Sequence, residues 1–273
     1  MGHKKLSELG LRATAGGDVS VSGLAVDSRL VKEGMLFAAL PGTAVHGGAF
    51  IQYALRMGAS AVLTDAEGAK LAEAELAASD AALIVSENPR QVLAYTAALW
   101  FGAQPETMIA VTGTNGKTSV SSFARMIWQE LGLRAVNLGT TGVEGDWSAP
   151  LAHTTPEPNT LHRTLAAASE AGITHAAMEA SSHGLSQYRL DGVQLAAAGF
   201  TNFTQDHLDY HATFEEYFDA KAALFGRVLG DDGVAVINID DPRGPDMAAI
   251  AQKREIEVIS VGRMEGADIQ LTA

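Results

Sequence analysis

Short apolar runs alternate with stretches of helical periodicity along the whole chain. From Val19 to about Pro105 the runs Leu24 to Val26, Met35 to Ala39, Ala61 to Thr64 and Ala82 to Val85 read as strands, and the spacing over Phe50 to Met57 and Arg90 to Phe101 reads as helix. The Ala-rich stretch Ala69 to Ala82 is expected as a surface helix with its turn. Gln104-Pro105 breaks the pattern, so residues 1–104 are expected as one α/β domain and residues 105–273 as a second. The second opens on the apolar run Met108 to Val111 and continues with strands Ala176 to Met178, Ala196 to Phe200 and Val234 to Ile239, the βαβ rhythm of a mostly parallel sheet. The helix after its first strand is expected to bury Val120, Phe123, Ile127 and Leu131 and to stop at Gly132. Functional residues of such sheets gather at the carboxyl ends of strands. Polar clusters stand at four of them: Thr112 to Thr118, Glu179 to His183, Thr201 to Asp209, and Asp240-Asp241.

Composition narrows the class of function. The chain of 273 residues is 47% hydrophobic and 19% charged, ample for a buried core. No apolar run approaches the roughly 20 residues of a membrane helix, and no apolar signal core follows Met1 to Leu9, so a cytoplasmic monomer is expected. A formal charge of -13 argues against broad nucleic-acid binding. With no cysteine, a metal must be held by oxygen or imidazole, which suits magnesium.

Gly113-Thr114-Asn115-Gly116-Lys117-Thr118 sits between an apolar strand and a helix start. Glycines let successive N–H groups face one anion, the helix dipole favours negative charge, a lysine neutralises β/γ oxygens and a threonine hydroxyl ligates magnesium. The general phosphate-loop pattern wants glycine where Val111 stands, so this is a shorter form. It binds the phosphates of a nucleoside triphosphate, with Gly113 to Thr118 and Ser119 as the binding residues. Glu179 and His207 are candidate magnesium ligands beside Thr118. Alone, a strand-end Glu is more often a surface or capping residue and a His more often a structural one; beside the loop they read as ligands. Lys221 lies on a helix whose Phe214, Phe218 and Phe225 mark an apolar face, and periodicity alone makes it a solvated or snorkelling lysine. Arg189, just beyond a strand-end cluster, suits a carboxylate or diphosphate.

These motifs carry a resemblance. Thr112 to Thr118, Thr154-Thr155-Pro156, Met178 to Leu185, Asp206 to His211 and Ala220-Lys221, with Asp27-Ser28-Arg29 and Leu36 to Ala39 in the first half, resemble the Mur ligases of peptidoglycan synthesis, most closely the MurE type. The resemblance implies a small uridine-nucleotide-binding α/β domain followed by a mostly parallel central phosphate-loop domain. It implies that Val26, Ser28, Thr43, Ala44 and Val45 contact uridine diphosphate, and that His153, Thr154, Thr155, Ser181, Gln187 and Arg189 contact the muramoyl peptide. Lys117, Glu179, His207 and Lys221 would be catalytic, Lys221 as a carbamate that ligates magnesium with Thr118, Glu179 and His207. The implied reaction adds meso-diaminopimelate, or lysine, to UDP-N-acetylmuramoyl-L-alanyl-D-glutamate with ATP cleavage. A folylpolyglutamate-synthase-like ligase and a binding module without turnover are the alternatives. His46, His153 and Ser119 depart from the family's usual residues. The family continues into a third, Rossmann-like domain, so this chain is expected to be its front portion, with an incomplete central domain.

Overall fold

The computed structural model describes residues 2–42, 44–204 and 210–272. They fall into two compact units, Met1–Gly102 and Ala103–Ala273. Among the described residues no helix is long and apolar enough to cross a membrane.

The first unit runs β1 (Lys4–Lys5), β2 (Ser20–Val21), β3 (Leu24–Ala25), β4 (Leu36–Ala38), α1 (Ile51–Arg56), β5 (Ala61–Thr64), α2 (Ala66–Leu71), α3 (Glu73–Ala77), β6 (Ala82–Val85) and α4 (Pro89–Phe101). Strands β3-β4-β5-β6 form a parallel sheet in that order, and β1 pairs antiparallel with β2. Alternate side chains leave a strand on opposite faces. Leu36 and Ala38 accordingly join Leu63, Ile84, Leu93 and Trp100 on one side, while Phe37 joins Ile51, Ala54 and Val62 on the other. Burial of both faces explains why these strands read as continuous apolar runs. The Ala-rich stretch is two short helices rather than one, because the chain leaves helical geometry at Ala72, whose side chain is buried.

The second unit runs β7 (Thr107–Thr112), α5 (Lys117–Glu130), β8 (Ala135–Gly139), β9 (Gly142–Gly145), α6 (Pro158–Glu170), β10 (His175–Glu179), α7 (Ser182–Ser186), β11 (Ala197–Phe200), α8 (Phe214–Ala223), β12 (Val234–Asn238), α9 (Gly244–Gln252), β13 (Glu257–Gly262) and β14 (Ile269–Gln270). Its sheet has the order β14-β13-β12-β11-β7-β10-β8-β9 and is parallel except for the β8–β9 hairpin. The chain is therefore α/β, with a mostly parallel sheet in its larger unit. Strand β7 is flanked by β10 and β11, so the strand order reverses there and a crevice opens at its carboxyl end. The register sets what meets in that crevice: Glu179 lies opposite Val111, Phe200 opposite Thr112, and Met178 opposite Leu138, which brings Glu179 beside Gly139.

One expectation fails on α5. Phe123 and Ile127 are each 60% exposed and Leu131 is 69% exposed, with Val120 and Met126 on the same open side. The helix meets the sheet through buried Ser121, whose hydroxyl donates to the carbonyls of Lys117 and Thr118, and through Arg125, which donates to Asn137 Oδ1 at 2.6 Å. Small and hydrogen-bonded side chains let the helix approach β8 and β10, and that rotation turns the apolar stripe outward.

Lys221 also departs from the periodicity. It is 1% exposed, on the same side of α8 as buried Tyr217 and Phe218. After Ala223 the helix continues as one π-helical turn, Leu224–Val228, from which Arg227 reaches buried Asp191 at 3.0 Å.

Candidate active site

The phosphate loop links β7 to α5 and is held from the segment that follows β11. Thr114 N–H donates to Asn202 O at 2.8 Å and Asn115 N–H to Asn202 Oδ1 at 3.0 Å. In return Thr201 Oγ1 and Asn202 Nδ2 donate to Asn115 O at 2.6 and 3.1 Å. Thr204 N–H donates to Thr114 Oγ1 at 3.0 Å. Gly113 has φ 144°, and a Cβ there would overlap the Thr201 hydroxyl, so only glycine fits. Two lysine nitrogens converge on this loop. Lys117 Nζ donates to the carbonyls of Gly113 and Thr114 at 2.8 and 2.9 Å, and Lys221 Nζ donates to Gly113 O at 2.8 Å while lying 4.5 Å above the Tyr217 ring.

Glu179, 2% exposed at the end of β10, faces the start of α5. Its Oε1 accepts from Thr118 Oγ1 at 2.9 Å and from Thr140 N–H at 3.0 Å, while its Oε2 accepts from Thr140 Oγ1 at 3.4 Å. The carboxylate occupies the space a Cβ would take on Gly139.

On the other side of Glu179 its backbone carbonyl accepts from Thr155 Oγ1 at 2.9 Å, and Thr155 Oγ1 accepts from Ser181 N–H and Oγ. Ser181 Oγ caps α7 by accepting from Gly184 N–H at 3.0 Å. Arg189 donates to Thr155 O at 2.7 Å and is steadied by Gln187 Oε1, and Gln187 in turn donates to Tyr210 Oη at 2.9 Å. Thr154 Oγ1 lies 3.1 Å from Thr140 Oγ1.

A cleft of about 580 Å³ gathers these groups. Its lining includes Thr114, Asn115, Gly116, Lys117 and Thr118 of the loop, and Thr140, His153, Thr154, Glu179, Ser181, Arg189 and Lys221 among others. Thr155, Gly113, Gln187 and Ser119 are not in its wall: Thr155 is buried, the Gly113 carbonyl accepts from Lys221, Gln187 bonds Arg189, and Ser119 is exposed. His207 and Thr43 lie outside the described residues.

Sequence reasoning missed Thr140, Asn202 and Tyr217. Thr140 follows Gly139 at the end of a strand the apolar pattern did not reveal, because β8 contains the buried polar Asn137. Asn202 fell within a named strand-end cluster but was not singled out. Tyr217 Oη lies 3.3 Å from Thr114 Oγ1, a contact across 103 residues with no local signal.

In the first unit a separate cleft of about 670 Å³ is lined by Val26, Ser28, Val45, Phe37, Phe50 and Tyr53 among others; Ala44 is not in its wall. Asp27 Oδ1 accepts from Arg29 N–H at 2.9 Å and its carboxylate pairs with the Arg29 side chain, which holds the Asp27 carboxyl below its ordinary range. Asp27 thereby fixes the turn that carries Ser28. His46 takes no acidic role: its Nδ1 accepts from Gly48 N–H at 2.9 Å and its Nε2 faces Asp65 at 3.1 Å.

A family model described as the Mur ligase middle domain matches residues 111–273, and one described as the Mur ligase family, catalytic domain, matches residues 20–100. The chain belongs to the Mur ligase family. This Mur ligase chain is 45% identical over 256 residues to the UDP-N-acetylmuramoyl-L-alanyl-D-glutamate--2,6-diaminopimelate ligase of Mesorhizobium japonicum, covering 93% of the chain and 52% of that relative. It is 47% identical over 246 residues to the ligase of the same name from Rhizobium meliloti, covering 90% of the chain and 49% of the relative. A solved structure of a ligase of that name superposes with a TM-score of 0.80 at 31% identity, over 98% of the chain and 54% of that structure. The chain thus spans about half the length of the curated relatives it matches.

The donor set of this Mur ligase site fits a hard divalent cation. Glu179 Oε2 has a single long contact, the Thr118 hydroxyl adjoins it, and both line the cleft with no sulfur present. Among the described residues no three His, Asp or Glu side chains cluster, so Glu179 and Thr118 are the two donors the described part of the cleft offers a cation.

Proposed function

We propose that this chain carries the nucleotide and acceptor sites of an ATP-dependent ligase of peptidoglycan-precursor synthesis. Its acceptor would be UDP-N-acetylmuramoyl-L-alanyl-D-glutamate and the added amino acid meso-diaminopimelate, with lysine as the variant. The observation that carries the reading is the shared cleft: phosphate-loop residues Thr114 to Thr118 and acceptor candidates Thr154, Ser181 and Arg189 face one volume, with Glu179 between them. The apolar cleft with Phe37, Phe50 and Tyr53 suits a flat base such as uracil and supports the same acceptor class.

In this reading the D-glutamate side carboxylate attacks the γ-phosphorus of ATP, the bond to the β-γ bridging oxygen breaks, and ADP leaves with an acyl phosphate formed. The amine of the incoming amino acid then adds to the acyl carbon, phosphate departs, and the nitrogen loses a proton to give the amide. Positioning and charge neutralisation supply most of the rate. Backbone N–H groups of the loop and Lys117 would hold the β- and γ-phosphates, which requires Lys117 to exchange its carbonyl partners for phosphate oxygens. Arg189, presented by Gln187, would bind the acceptor carboxylates. Thr118 and Glu179, with His207 and a carbamylated Lys221, would hold magnesium. Bound magnesium would screen the repulsion between carboxylate and triphosphate.

The test is phosphate release and amide formation by the 273-residue chain with Mg²⁺, ATP, acceptor and diaminopimelate, beside Lys117→Ala. Turnover that Lys117→Ala abolishes supports the ligase as written. Binding of acceptor and nucleotide without turnover assigns the chain a binding role within a longer ligase. Turnover with a folate substrate in place of the muramoyl peptide would refute the acceptor assignment.

A further inference from the structure

Thr140 belongs to neither the phosphate loop nor the acceptor motif, yet it touches both sides of the cleft. Its N–H is fixed on Glu179 Oε1. Its hydroxyl lies between two partners, Glu179 Oε2 at 3.4 Å and Thr154 Oγ1 at 3.1 Å. A hydroxyl carries one proton and accepts through its lone pairs. When Thr154 donates to Thr140, the Thr140 proton is directed at Glu179 Oε2. When Thr154 turns its own proton toward a bound anion, Thr154 Oγ1 becomes an acceptor for Thr140, and Glu179 Oε2 loses the one donor it has among the described residues. The carboxylate stays in place through both states, because Thr118 Oγ1 and Thr140 N–H hold Oε1 and the space beside Gly139 receives it.

We infer that Thr140 is a positioning residue whose hydroxyl couples the two halves of the cleft: an acceptor carboxylate that takes the Thr154 proton frees Glu179 Oε2 for a divalent cation. The inference rests on the proposed function for the identity of the two ligands. It adds a coupling, in which acceptor and cation-nucleotide each favour the other's binding, and linkage makes the effect reciprocal. One hydrogen bond to a carboxylate oxygen, kept weak by its 3.4 Å length, corresponds when switched off Oε2 to about a three- to tenfold change in affinity.

The experiment is a calorimetric titration of ADP at a series of Mg²⁺ concentrations, with and without saturating UDP-N-acetylmuramoyl-L-alanyl-D-glutamate, reading the Mg²⁺ midpoint. In the wild-type chain the acceptor is expected to lower the midpoint about three- to tenfold. Thr140→Val keeps the backbone N–H and the side-chain shape but removes the proton. Its midpoint without acceptor is expected to be already as low as that of the acceptor-bound wild type, with no further change on adding acceptor. A purely structural role would raise that midpoint instead. Thr140→Ser restores the coupling. Thr154→Val, a second variant that removes the other end of the line, leaves Thr140 on Glu179, so its midpoint stays high and unresponsive. Acceptor-dependent midpoints that persist in Thr140→Val, or a wild-type midpoint indifferent to acceptor when both ligands bind, overturn the inference and leave the proposed function standing. Failure of the wild-type chain to bind ADP or the acceptor overturns the proposed function and this inference with it.

Discussion

Lowering the pH from 7.5 to 5 is expected to weaken the larger unit through one residue, His162. This side chain on α6 is 3% exposed, its Nε2 has no hydrogen-bond partner among the described residues, and the backbone carbonyl of Asp191 favours the charged ring. Burial disfavours the imidazolium and lowers the His162 pKa from 6.5 to about 4, against the smaller upward pull of that carbonyl. Above pH 6.5 the ring is neutral folded or unfolded, and stability does not depend on it. Between 6.5 and 4 the unfolded chain binds the proton and the folded chain does not, so stability falls as pH falls, by about 2 kcal/mol at pH 5. Below pH 4 both states are protonated and the loss levels off near about 3 kcal/mol. The assay is urea unfolding followed by the fluorescence of Trp128 and Trp147 in a Trp100→Phe background. At an m-value of about 2 kcal/mol/M the midpoint should drop by about 1 M between pH 7.5 and 5. His162→Leu removes the titrating group while other carboxylates still respond, so the difference between the two pH profiles isolates it. Parallel profiles for wild type and His162→Leu, or a folded-state His162 titration near 6.5 by NMR, would refute the reasoning.

Three further outcomes follow from geometry. Phe123→Ser and Ile127→Gln should each change unfolding free energy by less than about 0.5 kcal/mol, as outward-facing sites do, whereas a buried face would cost about 2–5 kcal/mol; urea curves decide between them. Gly139→Ala should push the Glu179 carboxylate out of its place and weaken Mg²⁺-dependent ADP binding about tenfold in calorimetry, with the far-UV circular dichroism unchanged. Asp241→Ala removes the acceptor of Phe203 N–H at 2.7 Å, costing about 1–3 kcal/mol in urea unfolding and loosening the Thr201–Thr204 segment that holds the phosphate loop. Unchanged ADP affinity in that variant would detach the segment from nucleotide binding.

Strands packed on both faces were readable because every residue but Thr64, whose buried hydroxyl donates to Ala39 O, is apolar: Ala61–Thr64 and Ala82–Val85 lie where the runs put them. Strand β8 was not, since the buried polar Asn137, whose Oδ1 accepts from Arg125 on α5, interrupts its run. Periodicity located α5 and misassigned its face, because an apolar stripe reveals amphipathicity but not which side approaches the sheet. The same limit hid the burial of Lys221, which depends on Gly113 O and the Tyr217 ring, both distant in sequence. At the site, the loop Gly113 to Thr118 was legible since its chemistry is contiguous. The contributions of Thr140 and Asn202 depend on the register of β8 with β10 and of β7 with β11, which no local pattern records.

The central place of β7 also bears on how the chain is made. It is the first strand of its sheet to leave the ribosome, yet both of its neighbours are encoded later, and the partner that closes the phosphate loop, Thr204, follows Thr114 by 90 residues. At synthesis rates of about 5–20 residues per second, the glycine-rich loop waits roughly 5–20 s for that partner. The groups that hold the loop from the far side, on Asn202 and Thr204, are still unmade during that interval. The loop therefore takes its shape late, when β11 and its following turn emerge.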